Sequence, residues 1–192
     1  MVAVLPGFQK SWSRMLGNLV TVRPVDINDS TLVYKWRNDE RVREYMFNSD
    51  PIDQTNHDYW MKKSIIDPFR YLLLVCKENK PFGFAQFNAK PCKTVADWGF
   101  YVDPDGAKRQ GRTLGHYILN YAFLEIGLRR VYAEVLESNR RSIALHTRLG
   151  FSCEGILREH HKHNNVYQNV RQYGLLASEW SHQNTQVRSH DK

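Results

Sequence analysis

Long apolar runs are absent. Nothing in the 192 residues approaches the ~18 consecutive apolar positions that a membrane span requires, so no membrane is expected among its partners. Cysteine is scarce, and Cys76, Cys92 and Cys153 form an odd set without metal-ligand spacing. That excludes a disulfide framework and a cysteine-held metal, and it points to free thiols in a reducing, cytoplasmic setting. The apolar opening Met1–Leu5 stops at Pro6 with no basic lead, so a secretory leader is not expected. Repeats and low-complexity blocks are missing too. So are the two common glycine-rich phosphate signatures, the one closing on Gly-Lys-Ser/Thr and G-x-G-x-x-G.

What is present suits one folded domain. Apolar residues make up 42% and charged residues 24%, enough for a core that needs neither disulfide nor metal. Lys and Arg outnumber Asp and Glu by 27 to 20, which suggests an anionic partner. The cations are spread along the chain among acids rather than gathered in a stripe, so nucleic acid is not that partner. The pattern divides the chain into an extension over 1–18, a folded domain over 19–176 and a tail over 177–192.

Within that domain, Leu19–Pro24 reads as a strand stopped by proline, and Asp29-Ser30 as the cap of a helix carrying Leu32, Val33 and Trp36. A second helix is expected over 56–66 and strands over 70–76 and 81–87. Ala96, Trp98, Phe100 and Val102 alternate on one face of a further strand. Leu114, Tyr117, Ile118, Tyr121, Ala122 and Glu125/Leu128 follow at helical spacing, then a strand with Val131, Ala133 and Val135 on one face. Asn139 opens a short helix that Gly150 closes, and strands over 151–158 and 166–176 finish the domain. The order β-α-α-β-β-β-α-β-α-β-β predicts a mixed α/β fold: a mainly antiparallel sheet flanked by helices, with one parallel crossover.

Four features carry chemistry. Strand-to-helix segment 101–116 holds Lys108, Arg109, Arg112, Gly111 and Gly115, the outline of a pyrophosphate site at a helix N-terminus. A basic turn with glycines for tight packing fits the same spacing. Glu134 interrupts an apolar strand; buried there it would serve as a general base, whereas facing outward it would pair with an arginine. His146 lies one turn beyond Ser142 on the helix that Asn139 opens, the spacing of a packed or solvated histidine as well as of a catalyst. Arg37, Tyr45, Met46, Phe47, His57 and Trp60 interleave aromatics with cations, as stacking on a sugar or base requires; Trp36 and Trp60 also fit two helix cores.

At these residues the sequence resembles the GNAT superfamily of acetyl-CoA-dependent N-acetyltransferases. Gln110-Gly-Arg-Thr-Leu-Gly115 is similar to that family's pyrophosphate loop, with Thr113 where a glycine usually stands, and Asn139 to Phe151 is similar to its following helix. Trp36-Arg-Asn38, Tyr45-Met-Phe47, His57, Trp60 and Trp98-Gly-Phe-Tyr101 narrow the likeness to the subgroup that serves pseudaminic acid biosynthesis and flagellin glycosylation. The resemblance implies a GNAT fold and acetyl transfer to the 4-amino group of a UDP-linked amino-dideoxy sugar, by direct attack in a ternary complex. Acetyl-CoA would be co-substrate, and no metal would take part. The backbone of Phe100, Tyr101 and Val102 would pair with the pantetheine arm. N–H groups of Gln110, Gly111, Arg112, Thr113, Leu114, Gly115 and His116 would hold the pyrophosphate, with Asn139 and Ser142 near the distal arm. Glu134 would take the ammonium proton and His146 would protonate the departing sulfur. Arg37, Tyr45, Met46, Phe47, His57 and Trp60 would hold the sugar nucleotide. The competing functions are acetylation of a protein N-terminus and non-catalytic acyl-CoA binding; monomer and homodimer both stay open.

Overall fold

Alternating apolar positions lay down the sheet. The computed structural model describes residues 20–163 and 165–181; the extension over 1–18, Leu19 and positions 182–192 lie outside them. Strands β1 (Val20–Pro24), β2 (Arg70–Lys77), β3 (Lys80–Ala89), β4 (Val95–Val102), β5 (Arg130–Leu136), β6 (Ser152–His163) and β7 (Val166–Leu176) form one seven-stranded sheet in the order β1-β2-β3-β4-β5-β7-β6. Every neighbouring pair is antiparallel except β4 with β5, whose connection carries helix α4 (Gln110–Asn120). The expected mixed α/β class and the single parallel crossover are therefore observed.

The two faces of the sheet are covered differently. On one, α4 and α5 (Arg140–Arg148) bury Leu114, Ile118 and Leu149 against Val75, Phe87, Ala96 and Val131. On the other, α1 (Ser30–Asn38) and α3 (Gln54–Ile65) set Val33, Trp36 and Met61 on Leu72, Leu74 and Phe84 of β2 and β3. A short helix α2 (Glu40–Arg43) follows α1 and was not anticipated. Period-2 burial in β4 and period-3.6 burial in α4 agree with the sequence pattern because both elements have one wet side. No described helix is long and apolar enough to cross a membrane.

Three local expectations need correction. Asp29 does not cap α1. Asp26 caps a preceding 3₁₀ turn (Ile27–Asp29), while the Asp29 carboxylate accepts two bonds of 2.7 Å from Arg23, whose charge holds that carboxyl below its ordinary range. Helix α4 does not run on unbroken: a π-helical turn (Tyr121–Ile126) ends it before Leu128 is reached. The folded domain does not stop at Leu176. A helical turn over 177–181 buries Trp180, which is 5% exposed and donates its indole N–H to Asn120 Oδ1 at 2.8 Å.

One topological detail positions everything that follows. β4 and β5 share only three residue pairs, Val95↔Arg130, Ala96↔Val131 and Asp97↔Tyr132. Beyond them the strands part. From Trp98 onward β4 bonds only to β3, and from Ala133 onward β5 bonds only to β7. The result is a gap in the middle of the sheet, opening toward the N-terminus of α4.

Candidate active site

The gap leaves backbone N–H and C=O groups of residues 98–102 without a strand on the β5 side, which is how an extended ligand adds itself to a sheet. Phe100, Tyr101 and Val102 lie on this stretch. Just past its end, α4 starts at Gln110 after Arg109, which takes a left-handed backbone (φ +71°) and offers no side-chain cap. The first-turn N–H groups at 110–112 therefore have no intrahelical acceptor, no acid sits in that turn, and Lys108, Arg109 and Arg112 are exposed around it. An unpaired strand edge leading to an uncapped, cation-rimmed helix start fits a linear, diphosphate-bearing ligand.

Of the two roles the sequence left open for the glycines, the structure shows close packing at Gly115. A Cβ on Gly115 would come within 2.5 Å of Leu149 Cδ1, and one on Gly111 within 3.4 Å of Leu145 Cδ2. Gly111 and Gly115 are one turn apart on α4, and Leu145 and Leu149 one turn apart on α5; a β-carbon would clash at Gly115 and make only ordinary contact at Gly111. Gly115 is thus a packing residue. Leu114 and Gly115 are buried inside the helix, and with His116 they are past the first turn, so their N–H groups are spent on the helix rather than on an anion.

Asn139 caps α5 by accepting from the Ser142 N–H at 3.0 Å, as its position predicts. Glu134 is exposed rather than buried; it projects from the α1 side of β5 and accepts from Gln172 at 3.2 Å. Of the two placements left open by the sequence the outward one is observed, with Gln172 rather than an arginine as partner, because alternation along β5 sends Ala133 and Val135 into the core and Glu134 the other way. His146 is the reverse case: only 2% exposed. Its Nδ1 donates to the Ser142 carbonyl at 2.8 Å, and its Nε2 accepts from the Trp98 indole at 3.2 Å. An indole N–H can only donate, so Nε2 carries no proton and the ring is neutral. Burial pushes its pKa down to about 4. A ring with no proton facing a ligand does not suit the acid role that the sequence offered it.

On the α1 face, Arg37 stands over the end of β4. Its Nη2 donates to the Asn48 carbonyl at 2.8 Å, while Nη1 is buried with no hydrogen-bond partner among the described residues. Burial and the nearby Arg43 pull its pKa below the ordinary arginine value, partly offset by the Tyr101 phenol, which burial in turn pushes up. Arg43 is tied to backbone carbonyls of Asn38 and Ser49, and among the described residues no carboxylate pairs with either guanidinium. Tyr45 and Met46 are half-buried beside them, and Phe47 meets His161 of β6 edge-on at 5.0 Å. The structure therefore gathers Arg37 and the 45–47 segment on one side. His57 is buried between Tyr34 and Trp60 with Nε2 at 3.2 Å from the Ser30 carbonyl. His57 is a helix-packing residue, and Trp60 packs on the α1 side of the core next to it.

Sequence reasoning passed over Asp97 and Asn88. Asp97 is the last β4 residue paired to β5, it projects to the α1 side, and it accepts from Asn88 Nδ2 at 3.0 Å. An acid in an alternating strand was the available signal. Among the described residues no three His, Cys, Asp or Glu side chains gather as a metal site.

Comparison with known proteins agrees with this geometry. The family model described as Acetyltransferase (GNAT) domain matches residues 20–152. Acetyltransferase PseH of Campylobacter jejuni is 27% identical over 124 residues, covering 63% of this chain and 75% of that protein. An uncharacterized N-acetyltransferase of Bacillus licheniformis is 24% identical over 173 residues, covering 84% and 95%. Among solved structures, spermidine N-acetyltransferase from Vibrio cholerae in complex with CoA and spermine superposes with a TM-score of 0.77 at 23% identity, over 84% of this chain and 98% of that one. At that identity the likeness is one of fold.

Proposed function

The chain belongs to the GNAT acetyltransferase family and is an acetyl-CoA-dependent N-acetyltransferase, and from that premise we propose that its acceptor is the 4-amino group of a UDP-linked amino-dideoxy sugar. The observation that carries the reading is the buried, partnerless Nη1 of Arg37 beside a second uncompensated guanidinium, Arg43. A diphosphate satisfies both; a polyamine satisfies neither. Asp39 and Asp105 are engaged with Arg41, and Glu137 with Arg171. The 27% likeness to PseH supports the same acceptor class.

In this reading acetyl-CoA lies along residues 98–102 with its diphosphate at the start of α4. The amine enters from the α1 face, where Glu134 stands at the edge of the gap and takes the proton that an ammonium must lose before it attacks. The nitrogen adds to the thioester carbonyl, the C–S bond breaks with its electron pair on sulfur, and the nitrogen's surplus proton passes to water to leave the neutral amide. The sulfur departs as a thiolate and collects its proton from water; a thiol of pKa about 8.5 is a good enough leaving group to need no dedicated acid. Tyr45, Met46 and Phe47 flank the sugar nucleotide.

The test is acetyl-CoA consumption with the UDP-amino-sugar, spermidine and an N-terminal peptide side by side. The sugar nucleotide is expected to lead in kcat/KM. Arg37→Ala is expected to raise its KM about tenfold or more, the worth of a charge-assisted hydrogen bond, with acetyl-CoA affinity little changed. Preference for spermidine, or an indifferent Arg37→Ala, overturns the assignment.

A further inference from the structure

His146 has a place that neither acid catalysis nor packing alone explains. It lies on the α4 side of the sheet at the point where β4 and β5 begin to part. Trp98 is the first β4 residue beyond the last pair, and Ala133 is its counterpart on β5. Tyr173 of β7 pairs with Ala133 from the other side. Alanine leaves room beneath β5 there, and the His146 ring fills it: stacked on Tyr173 with centroids 5.3 Å apart, edge-on to Trp98 at 5.7 Å and edge-on to Phe151 at 5.0 Å. Both ring nitrogens are committed, Nε2 to β4 through the Trp98 indole and Nδ1 to the first turn of α5 through the Ser142 carbonyl. Those two elements stand on opposite banks of the gap, β4 by its unpaired edge and α5 by starting four residues after the end of β5.

We infer that His146 is a positioning residue, a neutral tie that holds β4 at a fixed distance from the first turn of α5 and so sets the width of the slot for the acetyl-CoA thioester. It touches no substrate and acts through Trp98. Nothing in this depends on which amine is the acceptor; it rests only on acetyl-CoA occupying the gap.

Trp98 and His146 then behave as a unit. Trp98→Phe removes the donor, His146→Phe removes the acceptor and keeps a ring, and His146→Gln keeps an amide that can both accept and donate. Titration calorimetry with acetyl-CoA, with thermal unfolding of each variant recorded beside it, reads the consequence. Trp98→Phe and His146→Phe are each expected to weaken acetyl-CoA about tenfold, and the double variant no further than the worse single one, since coupled residues are non-additive. His146→Gln is expected to recover most of the affinity. With the acceptor selected by the assay above, the KM for the amine is expected to move less than twofold, and the pH profile of kcat to keep its shape. If His146→Phe does not fold, Trp98→Phe carries the test alone. Unchanged acetyl-CoA affinity in Trp98→Phe, or strictly additive losses, overturns the tie. Unchanged affinity with kcat lost in His146→Phe returns the residue to proton donation.

Discussion

Glu134 and His146 exchange environments relative to what their neighbours in sequence suggest. A glutamate flanked by alanine and valine looks buried, yet strand alternation turns it outward; a histidine in the polar run Arg-Arg-Ser-Ile-Ala-Leu-His-Thr-Arg looks wet, yet it is the most buried polar residue of α5. For Glu134→Gln we expect kcat near neutral pH to fall about 10²-fold, a usual general-base contribution, and to recover as pH rises and the free amine forms unaided. A pH–rate profile identical to the wild type would remove Glu134 from the chemistry. For His146 the consequence is one of stability. Its folded-state pKa of about 4 lies below the ordinary 6.5, so the unfolded chain takes up a proton that the folded chain refuses. Stability is full above about 6.5 and is lost as pH falls toward 4, by about 3 kcal/mol for this one group. His57, also pushed down by burial, adds in the same direction. Urea unfolding across that range should be less pH-dependent in His146→Phe; an equal slope would mean that other groups govern it.

Between elements, the α4–α5 contact shows what a local pattern conveys and what it conceals. Helix α4 was readable from Leu114, Tyr117 and Ile118, and α5 from Asn139 and Gly150, because caps and periodicity are local. That Gly115 faces Leu149 is not local, and a glycine at a helix start serves an anion or a partner helix equally well. The same limit hid the gap: register between β4 and β5 depends on what wedges them apart, and each strand alone looks complete. Trp180 was missed because one tryptophan in a polar tail has no periodicity to announce it. Gly115→Ala is expected to destabilise by about 1–3 kcal/mol through overpacking, and Leu149→Val to relieve part of that, so that the double variant is more stable than the two single losses added. Strict additivity in urea unfolding would show that the two helices do not meet as described.

At the scale of the whole molecule, the excess of cations suggested an anionic partner but not where it would sit: Lys108, Arg109 and Arg112 rim the start of α4, while Arg37 and Arg43 gather on the α1 face. The parted strands also divide the sheet into halves, β1 to β4 and β5 to β7, joined by three residue pairs. Such a protein is built with a seam, and in the proposed binding mode the molecule that fills the seam is also its substrate. Acetyl-CoA should then act as a brace. Its backbone contacts would slow amide hydrogen exchange on both banks of the gap, at residues 98–102 of one half and in β5 of the other, while the far strands β1 and β6 change little. The melting temperature should climb with its concentration, by the equivalent of about 2.7 kcal/mol at a hundredfold excess over Kd. Where acetyl-CoA runs low, the enzyme would lose rigidity along with its substrate, so the supply of acetyl groups would govern how long each copy survives proteolysis as well as how fast it works.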